Sequence, residues 1–368
     1  MSAAARAHLE ALAARPRPAG SEAEAAARAH CARVLQGLGY TLREEPFAYS
    51  RFPGMWATPP GAIAAALLIC AVAWLAAGGR PIAALLLLAV KGGALLVATL
   101  WLARHGVLWL PWLRARSVNL AAVRGPVEPV VWLVAHLDSK SQPVPMLLRA
   151  AGVTVHLAAW LVALLLALGQ AAGLLRPIPW LWLGVAAAGV LSALPVVASV
   201  VQGRSPGALD NASGVATVLR AAETLDPALP VGVLLTSAEE LGLAGARAWG
   251  AAHPRGVALN VDGVDDEGAA IWMFSGRRSA RLLEAAARAS RATGIASRPR
   301  SLIPGVLTDA VALAGAGWEA VTLSRGTIRT LARIHTPADH LGALTGRGVE
   351  EASRLLARTA METCAWKS

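Results

Sequence analysis

Five short segments hold the residues of this chain whose types and spacing could do chemistry. They are AHLDS around His136 and Asp138, GALDNASG around Asp210, TSAEELGLAG around Glu239 and Glu240, NVDG around Asp262, and IHTPADH around His335 and Asp339. Two histidines and three carboxylates make a nitrogen–oxygen donor set suited to zinc, with manganese or cobalt as substitutes. The i, i+2 spacing of His136 and Asp138 lets the imidazole reach a metal while the carboxylate supports it. Glu239 and Glu240 are adjacent, so their side chains point in different directions. One can ligate while the other faces an attacking water as general base. Two ions about 3.5–4 Å apart would need a bridging carboxylate and would bind both the water and a substrate carbonyl. The chemistry implied is metal-assisted hydrolysis of an amide or a related bond.

Each segment has a plainer reading when taken alone. Asp210 precedes a helix and reads as an N-cap carboxylate, with Asn211 and Ser213 as alternative caps. The Glu pair reads as a solvated acidic turn, Asp262 as a turn former and His335 as a surface histidine. Five such coincidences in this order are improbable, and the constellation is the better reading.

The elements that must carry these residues follow from periodicity and breakers. Residues 2–15 and 21–39 read as amphipathic helices separated by ArgProArgProAlaGly, with Ser21 as N-cap. Strands are expected at 40–49, 117–123 and 130–135, the last a continuous apolar run fit for a doubly covered position. Beyond Gly203, helix 211–224, strand 231–235, helix 242–252, strand 256–261, strand 270–274, helix 277–293, strand 320–323 and helix 346–364 alternate. This is an α/β pattern with a mixed, mostly parallel central sheet flanked by helices. Its chemical residues are expected at the carboxyl ends of strands, where open sheets bind ligands.

Composition adds a second architecture. Hydrophobic residues make up 55% of the 368 and charged residues only 15%, against about 25% in an ordinary domain; mean hydropathy is +0.51. The charge deficit is confined to 60–113 and 146–202. Apolar stretches 61–78 and 81–103 turn through Gly78-Gly79-Arg80-Pro81, and stretches 147–174 and 178–201 turn through Arg176-Pro177. Each approaches the ~20 residues that a bilayer core requires, so four transmembrane helices are expected as two hairpins. Trp-rich 107–113, broken by Pro111, reads as an interfacial belt, and Pro195 as a kink in the fourth span. The expected division is 1–58, 114–145 and 203–368 for the α/β domain, with hairpins at 59–113 and 146–202. Both hairpins begin and end on one side of the membrane, so the three polar pieces can assemble into one domain.

The net charge of +11 comes almost entirely from arginine. It is dispersed, without the aromatic-interleaved patch that nucleic acid would require, and several arginines flank the apolar segments. Three cysteines, Cys31, Cys70 and Cys364, are too few and too unpatterned for a disulfide framework or a cysteine metal site. The first 50 residues show no apolar signal-peptide core.

The five segments resemble the M28 metallopeptidases, the group of aminopeptidase Y and bacterial leucyl aminopeptidase. The resemblance covers residues 1–50, 115–142 and 203–366, with the hairpins as insertions. It implies a zinc exopeptidase fold and two zinc ions. His136 and Asp262 would hold one, Glu240 and His335 the other, and Asp210 would bridge. It also implies Glu239 as general base and Asp138 as the supporting acid beside His136. LeuThrAspAlaValAlaLeu (307–313) resembles the family's Ser-Asp-His segment, departing at Thr308 and Ala310, so Asp309 is a weaker outer candidate, as is Asp339. ArgProAlaGlySer (17–21) resembles the family's opening Arg-x-x-Gly-Ser. Peptides are the implied substrates. Glutaminyl cyclases and metal-poor, noncatalytic relatives share the family, so a cyclase and a membrane receptor or assembly module are the competing expectations. Retention of every ligand position argues against the last.

Arg51, Arg104, Arg114, Arg116, Arg149 and Arg204 lie on the catalytic side of the spans, against Arg80 and Arg176 at the hairpin tips. The positive-inside bias then expects a cytoplasmic catalytic domain on an inner or plasma membrane. Lys91 and His156 are ionisable groups within spans; a snorkelling lysine and a histidine bonded inside the bundle are the simpler readings. Self-association through the spans is left open.

Overall fold

The structure is a computed structural model that describes residues 3–275, 278–302 and 306–366. The chain divides into two compact units. One comprises Met1–Tyr49, Leu113–Ser141 and Gln202–Ser368, the other Ser50–Trp112 and Gln142–Val201.

The first unit is built on eight strands: β1 (Thr41–Ser50), β2 (Arg114–Val123), β3 (Val131–His136), β4 (Val231–Thr236), β5 (Val257–Val264), β6 (Ala269–Phe274), β7 (Ser297–Ser301) and β8 (Glu319–Gly326). Their order across the sheet is β1-β2-β4-β3-β5-β8-β6-β7. β3 runs parallel to β4 and β5, and β5 parallel to β8. β2 is antiparallel to β4 and β6 antiparallel to β8, while β7 lies parallel to β6. The mixed, mostly parallel sheet expected from the alternation is therefore present.

The apolar run of β3 is buried at every position. Val131, Leu133 and Ala135 face a layer containing helices Ser213–Thr224 and Arg347–Cys364, whereas Trp132 and Val134 face Ala244–Ala252 and Asp309–Gly315. This period of two with both faces covered is what a central parallel strand requires. Ser21 caps Glu22–Gly37 by accepting the amide of Glu24, as its position suggested.

Among the elements that escaped the pattern are three in the sheet unit. β7 is SerArgProArgSer, polar and exposed, and Pro299 is tolerated because the strand lies at the sheet edge. Helices Asp309–Gly315 and Ile328–Arg333 are too short for a periodic signal. The helix expected over 277–293 spans Ala280–Thr293, and its expected first residue falls outside the described residues.

The second unit contains four helices long and apolar enough to cross a membrane: Thr58–Ala77, Pro81–Trp109, Met146–Ala171 and Pro179–Val197. The second continues past its expected end at 103, takes π-helical turns at Leu88–Gly92 and Leu102–Gly106, and stops before Pro111, so the first part of the Trp-rich belt, Val107–Trp109, is helical. Gly79 and Gly173, both with φ of +72°, supply the left-handed residues of the two hairpin turns. The interior is lined by small side chains, among them Ala76, Ala84, Ala163 and Ala167, all fully buried. At Gly189 a Cβ would stand 2.4 Å from Ile69, so glycine permits that close approach. His156 Nδ1 lies 3.0 Å from the Gly189 carbonyl oxygen and 3.3 Å from Ser192 Oγ, a bond within the bundle. Lys91 sits exposed in the first π-helical turn.

Candidate metal centre

β3 delivers His136 as its last residue, and β5 carries Asp262 near its end. Glu239 and Glu240 follow β4 after Ala238, which adopts φ +55°. These placements agree with the expectation for strand ends. Asp210 and His335 depart from it. Asp210 lies in a distorted turn, Ala208–Ala212, that opens helix Ser213–Thr224, and His335 follows the short helix Ile328–Arg333 with φ +61°. Both are brought to the rim by helix ends, because no strand terminates at either position. Left-handed non-glycine residues such as Ala238 and His335 persist where surrounding structure over-determines them, commonly at functional sites.

The side chains converge. Asp210 Oδ1 is 3.1 Å from His136 Nε2, and Asp210 Oδ2 is 3.0 Å from His335 Nε2. His136 Nε2 is 3.8 Å from Asp262 Oδ1, and His335 Nε2 is 3.2 Å from Glu240 Oε2. Two groups result, His136–Glu239–Asp262 and Asp210–Glu240–His335, each with its donor atoms within 4.8 Å of one another. These are two candidate metal sites, with Asp210 presenting one oxygen to each histidine.

Backbone bonds hold the ligands in place. Asp138 is fully buried, and its two oxygens accept the amides of Glu239 at 3.1 Å and Glu240 at 3.2 Å. It therefore positions the glutamate pair as well as standing 3.6 Å from His136 Nδ1, whose nearer neighbour is the Asp138 carbonyl oxygen at 3.0 Å. Asp339 does the same for Asp210, accepting the amides of Leu209 at 2.6 Å and Asp210 at 3.1 Å. Asp309 lies beneath the site and accepts a hydrogen bond from Thr236 Oγ1.

Four contributors were not legible as such. Asn211 Nδ2 donates to the Val261 carbonyl at 2.9 Å, and its Oδ1 accepts from Gly263 and Gly214, tying the Asp210 turn to the strand bearing Asp262. The wholly buried Arg17 guanidinium donates to the carbonyls of Leu12, Leu137, Pro206 and Gly207, which joins the loops ahead of His136–Asp138 and Asp210. Gly207 has φ +61°, and a Cβ there would stand 2.5 Å from the Asp210 carbonyl oxygen and 2.6 Å from Ser139 Cβ. Lys140 Nζ lies 2.7 Å from Glu240 Oε2. Arg17 carried a signal through its motif, whereas a lysine in a polar loop reads as solvated.

The electrostatics fit cations. Burial opposes protonation of His136, yet Glu239, Asp138, Asp210 and Asp262 hold its imidazole well above the usual value. Burial likewise opposes ionisation of Asp210 and Glu240. Hydrogen bonding to both histidines nevertheless holds Asp210 well below the carboxylate range, and His335 and Lys140 bring Glu240 to about 2. Burial, reinforced by Glu240, Asp262 and Asp309 and opposed by His136, pushes Glu239 well up. Burial raises Asp309 and Asp339 to about 7. Glu240 Oε1 is buried without a hydrogen-bond partner among the described residues, despite the imidazoles and carboxylates around it. An orphaned carboxylate oxygen of this kind, within a nitrogen–oxygen donor set, is suited to a divalent metal.

The fold has solved relatives. An aminopeptidase from Aneurinibacillus sp. strain AM-1 superposes with a TM-score of 0.57 at 14% identity, over 98% of this chain and 93% of that one. A zinc aminopeptidase from Bacillus subtilis gives 0.56 at 16% identity, over 97% and 94%. A glutaminyl cyclase from Porphyromonas gingivalis gives 0.54 at 12% identity, over 99% and 98%. Among curated proteins none matches the sequence significantly. Residues 193–360 match Peptidase family M28, a segment that contains Asp210, Glu239, Glu240, Asp262 and His335. Over this segment, a little under half of the chain, the sequence is similar to peptidase family M28.

Proposed function

We propose that the chain is a membrane-embedded dizinc aminopeptidase. The observation that carries this reading is Asp210, whose two oxygens stand 3.1 and 3.0 Å from the Nε2 atoms of two different histidines. That is the arrangement of a bridging ligand. In this reading His136 and Asp262 would hold one ion and Glu240 and His335 the other, with Asp210 available to both. When bound, the two cations supply a polarised scissile carbonyl and an acidified water.

The chain's own residues do the rest. Glu239, with its raised affinity for a proton, takes one from the attacking water and passes it to the leaving amine. Asp138 fixes the backbone of Glu239 and Glu240, so base and ligand keep a constant offset. The four long apolar helices support a bilayer anchor, and the arginine bias at their ends supports a cytoplasmic catalytic unit.

Glu239→Gln is expected to lower kcat on aminoacyl fluorogenic substrates by about 10²–10⁴-fold while metal content by elemental analysis stays unchanged. Full activity in that variant removes Glu239 as the base. Glutaminyl cyclases share the fold at comparable TM-scores, so cyclisation of N-terminal glutamine is measured alongside. Cyclisation without peptide hydrolysis would replace the peptidase reading.

A further inference from the structure

The two candidate sites differ by one fixed charge. Lys140 places Nζ 2.7 Å from Glu240 Oε2 and 3.5 Å from the Glu240 carbonyl oxygen, with its side chain only 19% exposed. The same Oε2 lies 3.2 Å from His335 Nε2, so the ammonium shares an oxygen with the Asp210–Glu240–His335 group. Among the described residues no lysine or arginine pairs with Glu239 or Asp262. With neutral histidines and Asp210 shared, Asp262 and Glu240 give each site one carboxylate of its own, and Lys140 offsets that of the second.

We propose that Lys140 makes the centre load in order. The site of His136 and Asp262 takes the first ion, and the site of Glu240 and His335 takes the second more weakly. The proposal rests on the dinuclear reading above. A cation entering beside Glu240 meets an ammonium bonded to its own ligand and competes with it for one oxygen. Like charges a few ångströms apart in a protein interior repel strongly enough to shift an equilibrium by about tenfold or more. The same repulsion makes the second ion the one that exchanges first.

Calorimetric titration of the full-length, metal-stripped protein in detergent with MnCl2, checked by elemental analysis, tests this. The wild-type protein is expected to bind two ions in steps separated by about tenfold or more. Lys140→Gln should tighten the second step by about tenfold and leave the first unchanged, while Lys140→Arg keeps the wild-type separation. Glu240→Gln should remove the second step and Asp262→Asn should weaken the first. Thermal unfolding of each metal-free variant verifies that it is folded, and Lys140→Met repeats the test if the glutamine variant is not. Equal steps in the wild-type protein, an unchanged second step in folded Lys140→Gln, or loss of the first step in Glu240→Gln overturns ordered loading and leaves the dinuclear reading standing. Uptake of one ion or none overturns both.

Discussion

The two units of this chain solve burial in opposite ways. In the sheet unit charge is brought inside and given partners: Arg17, Glu24, Asp138, Asp309 and Asp339 are all buried, amid amides, hydroxyls and one another's fields. In the helical unit the sequence over 50–112 and 142–201 contains no aspartate or glutamate at all. Many of its large apolar side chains point outward, Trp74, Trp180 and Leu183 each being at least 70% exposed, while alanine and glycine share the interior with Ile69, Leu88 and Trp182. The lesson is that hydrophobicity does not by itself say which way a residue faces. A core excludes water only where the surroundings are water. Where the surroundings are hydrocarbon, shape and close approach decide the interior.

Substitutions of like chemistry in the two units sharpen or break this contrast. Leu133→Ala, in the fully buried β3, is expected to destabilise the sheet unit by about 2–5 kcal/mol, read by denaturant unfolding. Leu183→Ala, on the outer face of Pro179–Val197, should change stability in detergent by no more than about 0.5 kcal/mol. Equal losses would mean that the outer face is packed. Leu157→Arg, on an exposed face near the middle of Met146–Ala171, is expected to cost about 2.5–3.5 kcal/mol in a membrane-insertion assay. Unimpaired insertion would remove the bilayer from the account.

Gly189→Val tests the small-residue interior. The added side chain meets Ile69 and should cost about 1–3 kcal/mol, seen as a lower melting temperature for the helical unit. The smallest effect concerns the charged interior of the sheet unit. Burial, with Asp138 adding to it, raises Glu24 from its ordinary 4.5 to about 7. A carboxyl raised on folding binds its proton more tightly in the folded state. The stability it contributes is complete below pH 4.5 and is lost as pH rises through 7. The slope is at most about 1.4 kcal/mol per pH unit. Glu24→Gln should flatten the dependence of melting temperature on pH across that window, and an unchanged slope would show that Glu24 is not its source.

Much of this organisation was legible before any coordinates. The alternation of apolar strands with amphipathic helices carried the sheet, because each β strand of the parallel centre contains a short, mainly apolar run. The apolar stretches carried the four long helices in the same way. What stayed hidden depends on contacts between distant positions. β7 has no periodicity, and only its partner β6 makes it a strand. Asp339 could be named a candidate from its neighbour His335, but nothing local says that it would accept the amides of Leu209 and Asp210, some 130 residues earlier. Lys140 is silent for the same reason. Its meaning comes from Glu240, one hundred positions on.

Asp138 gives the centre a property that its ligands alone would not. Because both its oxygens are engaged by the amides of Glu239 and Glu240, the offset between the end of β3 and the two glutamates is written in bonds to which no cation contributes. An emptied cage therefore keeps its outline. The ordering entropy is lost once, when the chain folds, and would not be lost again at each uptake of the ions proposed above, which would enter a mould that is already set.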